Sequence, residues 1–307
     1  MLPFLLSAGS ALAVDGVLEI NNARAVAGGV TPGDTPDYPV TIDQPGSYRL
    51  TGDLFVSGTN RTVVQITADD VTLDLNGFSV RCLFLFTPCA GNGTGIGIDA
   101  VSAKNVTVRN GNVLDMSSHG LFMGVGSRVS GINASNNGAK GIRVALDSSV
   151  TQSSVLGNGA TGIDAGGGSR VAENVVEGNG HADGQLDAEG INCGNYCVVQ
   201  DNIVKNSTGH GIDTASTSTV RGNTVAASGG HGIVARGGST VVENSISASG
   251  RCGLRGGGET GYANNVLTFN NGTVITENLA VANAIETGTN ICGSDTDCSE
   301  GAVNQCN

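Results

Sequence analysis

Residues 209–255 read GHGIDTASTSTVRGNTVAASGGHGIVARGGSTVVENSISASGRCGLR, and this stretch decides the fold. A Gly followed by Ile or Leu stands at Gly211, Gly232 and Gly253, 21 residues apart. Working back, the same pair recurs at Gly190, Gly162, Gly141 and Gly120. Every step is 21 residues except the 28 between Gly162 and Gly190, which is one unit plus a seven-residue insertion. A fixed period sustained over seven units is the mark of a solenoid, in which each repeat buries its apolar face only against its neighbours.

Counting from each repeat Gly, position +1 is Leu or Ile throughout, from Leu121 to Leu254. Position +9 is Val from Val129 to Val241 and then Tyr262. Position +14 returns to Val155, Val176, Val204, Val225, Ile246 and Leu267. Between these, Gly, Ser and Asn recur, the residues that tolerate left-handed turn conformations. Each unit therefore holds three short strands and three turns, and stacking at about 4.8 Å gives three parallel sheets. Position +12 carries Ser153, Asn174, Asn202, Asn223, Asn244 and Asn265, a column expected to hydrogen-bond along the axis and satisfy turn backbone groups. A leucine-rich repeat shares the period but needs a Leu frame and a helical side, and neither is present. The expected fold is an all-β, right-handed, single-stranded parallel β-helix of roughly ten coils.

Earlier coils are less regular but alternate as strands do, at 40–54, 66–80 and 106–113. Residues 1–13, MLPFLLSAGSALA, end in the small-residue pattern of a secretory cleavage site. The expected organisation is a signal peptide (1–13), an N-terminal cap (14–39), the β-helix (40–271) and a C-terminal cap with disulfides (272–307). Caps are needed because the open ends of a solenoid expose unpaired strand edges. Eight cysteines in an exported chain suggest four disulfides, with Cys82/Cys89 and Cys193/Cys197 each bracketing a short loop. No His or Cys pair accompanies them at zinc spacing.

The formal net charge is −12, and the 15 basic residues form no run. That excludes a nucleic-acid-binding surface, which needs concentrated cations. No stretch is long and apolar enough to span a membrane. A secreted or periplasmic/extracellular monomer is expected.

Together, the strand-like segment 40–80 and the Gly-Ile coils resemble the right-handed parallel β-helix proteins of the pectate-lyase-like superfamily, over roughly 40–290. The resemblance implies a polysaccharide or cell-envelope glycan as partner and lyase, hydrolase or epimerase chemistry on uronate-containing polymers, alongside non-catalytic surface proteins. Gly209-His210-Gly211-Ile212 and Gly230-His231-Gly232-Ile233 resemble the Gly-His-Gly segment of polygalacturonases, without that family's paired aspartates and Arg-x-Lys in register. Gly162-Ile163-Asp164 and Gly211-Ile212-Asp213 resemble the start of the mannuronan epimerase motif, but its Pro-His is replaced by Ala165-Gly166 and Thr214-Ala215.

Side chains alternate across a strand, so with +1 inward, +2 faces out. Column +2 reads Phe122, Arg143, Asp164, Asn192, Asp213, Val234, Arg255, and column −1 reads His119, Lys140, Thr161, Glu189, His210, His231, Cys252. The insertion, His181–Ala188, precedes the strand bearing Asn192 and is expected to project beside Asp164 and Asp213. A loop thrown out from a regular scaffold often carries function.

Asp164 and Asp213, two coils and about 9.6 Å apart, approach the spacing an inverting glycosidase needs to admit a water. With Asp187 and Glu189 they form a candidate Ca²⁺ site through oxygen ligands. Arg143, Lys140 or His210 could then abstract a proton in a lyase reaction. Asn192, His181, His231 and Arg255 complete the candidate substrate-binding set. The alternative is a glycan-binding or matrix protein without catalysis, which the absence of Trp favours.

Overall fold

The computed structural model describes residues 16–84, 87–91, 93–180 and 188–270, with two short strands at Ile285–Glu286 and Ile291–Cys292. The chain winds as a parallel β-helix. One face is a ten-stranded sheet from Val40–Ile42 to Leu254–Gly256, and it contains every Gly-Ile strand. Register is kept throughout: Ile142 pairs with Ile163, Ile163 with Ile191 across the insertion, and Ile191 with Ile212. The other two strand rows form one 22-stranded network. They join because Thr107–Leu114 and Arg128–Ser135 run unbroken around the corner that later coils break into two strands.

The corners explain the period. In each regular coil the residues at +6, +11 and +16 take a left-handed backbone, as at Asp147, Gln152 and Gly157 or Tyr196, Asp201 and Asn206. A single left-handed residue turns the chain sharply without ending the strand ladder. The residue after each one turns inward, in most coils as a polar rung, with Ile132 and Cys197 as exceptions. At +12 the expected column is present: Asn202 and Asn223 each use Oδ1 to accept two bonds from the preceding coil's Asn, through its backbone N–H and its Nδ2, and Asn174 accepts the backbone N–H of Ser153. Asn223 Nδ2 donates in addition to the backbone oxygens of Val199 and Arg221. Two further columns escape the sequence reading. At +7, Ser148, Ser169, Ser218 and Ser239 accept backbone N–H bonds, and at +17 Asn137, Asn158 and Asn179 do so.

The repeat Gly owes its identity to the +17 column. A Cβ on Gly162 would lie 2.7 Å from Gly190 O and 2.8 Å from Asn179 Nδ2, distances at which backbone must move. Inside, the +1, +9 and +14 columns form the core, and Ile163, Val171 and Val176 are wholly buried.

At one end, Val17–Ile20 pairs in parallel with Gly46–Leu50, and the helix Asn22–Ala27, capped by Asn21, lies against Leu54–Val56. At the other, Ile285–Glu286 and Ile291–Cys292 extend the strand rows beyond residue 271. Two disulfides close among the described residues, Cys82–Cys89 and Cys193–Cys197, as the bracketing pairs predict. Disulfide bonds of this kind fit an extracytoplasmic compartment. Residues 1–13, expected to be a signal peptide, and the side chains of Cys292, Cys298 and Cys306 lie outside the described residues. Among the described residues no helix is long and apolar enough to cross a membrane.

Candidate active site

Column +2 is a continuous strip on the ten-stranded sheet. Arg143 pairs with Asp164, Asp164 with Asn192, Asn192 with Asp213, Asp213 with Val234 and Val234 with Arg255. The register is unbroken across the seven-residue insertion, Asp164 pairing with Asn192. His181 and Asp187, both in the insertion, lie outside the described residues.

Along the strip, two aspartates separated by Asn192 stand between arginines. Asp164 lies between two cations: its Oδ2 accepts from Lys140 Nζ at 2.5 Å and lies 3.5 Å from Arg143 Nε. Arg143 in turn covers the Phe122 ring, with its guanidinium carbon 4.6 Å from the ring centre, a cation–π contact. Asn192 is half-buried between the two aspartates. Lys140 and Arg143, expected as candidate bases, are both drawn onto Asp164.

Asp213 departs from the expected solvated row. Its side chain is only 9% exposed, and Arg236 closes over it with two bonds, Nη1 to Oδ1 at 2.8 Å and Nη2 to Oδ2 at 3.1 Å. Burial pushes the Asp213 carboxyl above its usual 3.8, against the opposing pull of Arg236, Arg255 and His231. Arg236 is a member of the candidate site that the sequence reading does not include. It stands at +4, in the turn after the strand, and reaches back one coil to a carboxylate at +2. Only the stacking of coils makes that contact, although the spacing Asp213 to Arg236 (one unit plus two) held the signal.

Column −1 borders the strip. Thr161 Oγ1 donates to Glu189 Oε2 at 3.1 Å. The His210 and His231 rings stand 5.1 Å apart, and His210 Nδ1 accepts the His231 backbone N–H. His231, expected on the surface, is buried, with Nδ1 lacking a hydrogen-bond partner among the described residues. His119 accepts the Lys140 N–H at Nδ1. Desolvation, with Lys140 and Arg143 close by, lowers its pKa to about 4.

No group of three or more His, Cys, Asp or Glu side chains among the described residues is arranged to hold a metal ion. Of the residues expected to hold Ca²⁺, Asp164, Glu189 and Asp213 are among the described residues and Asp187 is outside them. Chemically, the strip offers two carboxylates two coils apart, one desolvated and one between cations. Such unequal environments are how acid and base roles are divided.

No protein-family model and no curated protein matches the chain. Among solved structures, the Dettilon tailspike protein aligns over 83% of this chain and 53% of its own, with 12% identity and a TM-score of 0.52. The enzymatically active domain of tailspike protein 2 of bacteriophage CBA120 aligns over 74% and 42% respectively (14% identity, TM-score 0.46). The mannuronan C-5 epimerase A-module of Azotobacter vinelandii aligns over 89% of both chains (11% identity, TM-score 0.41). The chain thus spans about half the length of the Dettilon tailspike. At such identities the likeness is one of fold, and it agrees with the strand register: this chain is a parallel β-helix.

Proposed function

We infer that the protein acts on an acidic polysaccharide, as a glycoside hydrolase whose site is the strip from Arg143 to Arg255. The observation that carries this reading is the environment of the two aspartates. Asp213 is desolvated with a raised pKa and suits the general acid, giving its proton to the glycosidic oxygen. Asp164, held by Lys140 and Arg143, suits the base that takes a proton from the attacking water. Two strand spacings, about 9.6 Å, leave room for that water and favour inversion. In a chain of net charge −12, Lys140, Arg143, Arg236 and Arg255 gather along one strip, which favours a uronate-bearing substrate. Arg236, more than half exposed, would exchange Asp213 for a substrate carboxylate. A lyase is less favoured, because Lys140 and Arg143 are already committed to Asp164.

A panel of uronate polymers, assayed for new reducing ends and for unsaturated products, tests this. Reducing ends without ultraviolet-absorbing product are expected. Asp164→Asn and Asp213→Asn should each lower turnover by about 10²- to 10⁴-fold, the scale of general acid–base catalysis, with folding unchanged. Unsaturated product would identify a lyase instead. A second reading, glycan binding without turnover, is favoured by the fact that each carboxylate is already paired with a cation; binding with no product from any polymer would establish it.

A further inference from the structure

Tyr196 occupies a position that its backbone discourages. It stands at +6 of its coil with φ +61°, the left-handed corner conformation. The same corner is Gly at Gly126, Gly168 and Gly238 and otherwise Asp147, Thr217 or Glu259. A bulky aromatic residue there is a genuine departure, since left-handed backbone disfavours large side chains. Nothing inside the fold rewards it, for Tyr196 is 69% exposed. It is the only exposed tyrosine of the four, Tyr38 and Tyr262 being half-buried and Tyr48 buried.

This corner is also fastened. Cys193 and Cys197, both buried, form a disulfide across the turn Gly194-Asn195-Tyr196, and Cys197 replaces the Ser found at +7 in neighbouring coils. Asn195 Oδ1 accepts the Ser216 N–H of the next coil, fixing the turn from the other side. No other regular coil carries a disulfide at this corner among the described residues.

The location ties the corner to the strip. Tyr196 follows Asn192, the residue between the two aspartates, by four positions. Arg236, at +4 of a later coil, reaches the strip from the same row of turns. Along this row, the preceding coil offers only Gly166, Gly167 and Gly168, which place no side chain beside the ring. Beyond them stand Leu146, 54% exposed, and Val125, 38% exposed. Val125 and Leu146 stand at +5 of their coils and Tyr196 at +6, so exposed apolar side chains occur, with the glycine coil between them, on the row of turns that follows the charged strip of Arg143, Asp164, Asn192 and Asp213. A pyranose ring is amphipathic in just this sense, with C–H faces on one side and hydroxyl or carboxylate groups around its edge.

We propose that Tyr196 is a sugar-stacking platform, held rigid by the Cys193–Cys197 disulfide, which binds the apolar face of a pyranose whose polar edge lies on the Asn192 strip. The proposal deepens the hydrolase reading above and rests on its placing of the glycan along that strip.

The test uses alginate and polygalacturonate oligosaccharides as probes, with the full chain and its Tyr196→Gly, Tyr196→Phe and Asp213→Asn variants. Because the chain has no Trp, tyrosine emission reports binding directly. Wild-type emission should change on adding the bound oligosaccharide, and Tyr196→Gly should lose that change. Its Kd should rise by about fivefold or more, the scale of one aromatic contact, while Tyr196→Phe stays near wild type. Glycine suits φ +61°, so the thermal midpoint of Tyr196→Gly should equal or exceed the wild-type value. A lower midpoint with unchanged Kd would show that Tyr196 is structural and overturn the proposal. If wild type binds these probes and Tyr196→Gly binds equally well, the platform fails while the hydrolase reading stands. If wild type binds neither probe, the uronate reading fails and the platform with it.

Discussion

Asp213 is held between opposing influences: burial raises its pKa, and the Arg236 guanidinium lowers it. If Asp213 is the general acid, activity falls as pH rises through its pKa. Arg236→Gln removes a group that favours the ionised form, so the pKa rises further and the alkaline limb of the pH–rate profile moves to higher pH. A limb that stays in place would mean that another group supplies the proton. His119 gives a stability counterpart. Its native pKa of about 4 lies below the ordinary 6.5, so the folded state prefers the neutral ring that accepts the Lys140 N–H. The associated stability is fully present above pH 6.5 and is lost as pH falls towards 4. His119→Gln keeps an acceptor without titrating, and a thermal-midpoint profile should therefore be flatter across that window than in wild type. Equal slopes would contradict the burial assigned to His119. At this scale the sequence was a partial guide. Periodicity aligned Asp164, Asn192 and Asp213, but not the reach of Lys140 and Arg236, which depends on side-chain conformation between coils.

The structural element that repeats is the corner, a left-handed residue followed by an inward polar rung. Asn223 satisfies five polar partners, counting Asn202 N and Nδ2, Val199 O, Arg221 O and Asn244 through its own Nδ2. Asn223→Ala strands buried backbone groups and should cost about 2–4 kcal/mol by denaturant unfolding. Asn223→Ser should cost clearly less, because Ser153 already serves as a rung, accepting the Ile132 N–H and donating to Thr151 O. Equal losses would mean that the amide network adds nothing. The +17 column changes after the insertion from Asn137, Asn158 and Asn179 to Ser207, Ser228 and Ser249, whose hydroxyls are buried without hydrogen-bond partners among the described residues. Ser228→Asn restores an acceptor for the Ser207 N–H and a donor for Val204 O, as Asn158 does for Asn137 and Ala134. It should stabilise by about 1 kcal/mol. The +12 column was legible because Asn runs through it almost without interruption. The +7 and +17 columns were not, because Ser and Asn in a Gly-rich turn look the same whether they face water or bridge coils.

Across the whole molecule, the fold could be read from sequence because a solenoid is specified locally, each coil's apolar columns needing only the next coil's. The three-strand pattern blurs where the repeat is less regular, at the early coils, whose two strand rows fuse at 107–114 and 128–135. Function is written less directly, because it requires residues of several coils to converge while the frame tolerates almost any outward side chain. The central claim is that the strip from Arg143 to Arg255 on the ten-stranded sheet is where a glycan binds and is cleaved. A crystal structure of Asp213→Asn with a uronate oligosaccharide tests it most directly. The account predicts sugar density along that strip, crossing successive coils between Asp164 and position 213, with a ring against Tyr196. Sugar bound on either of the other two strand rows, with this strip bare, would contradict it.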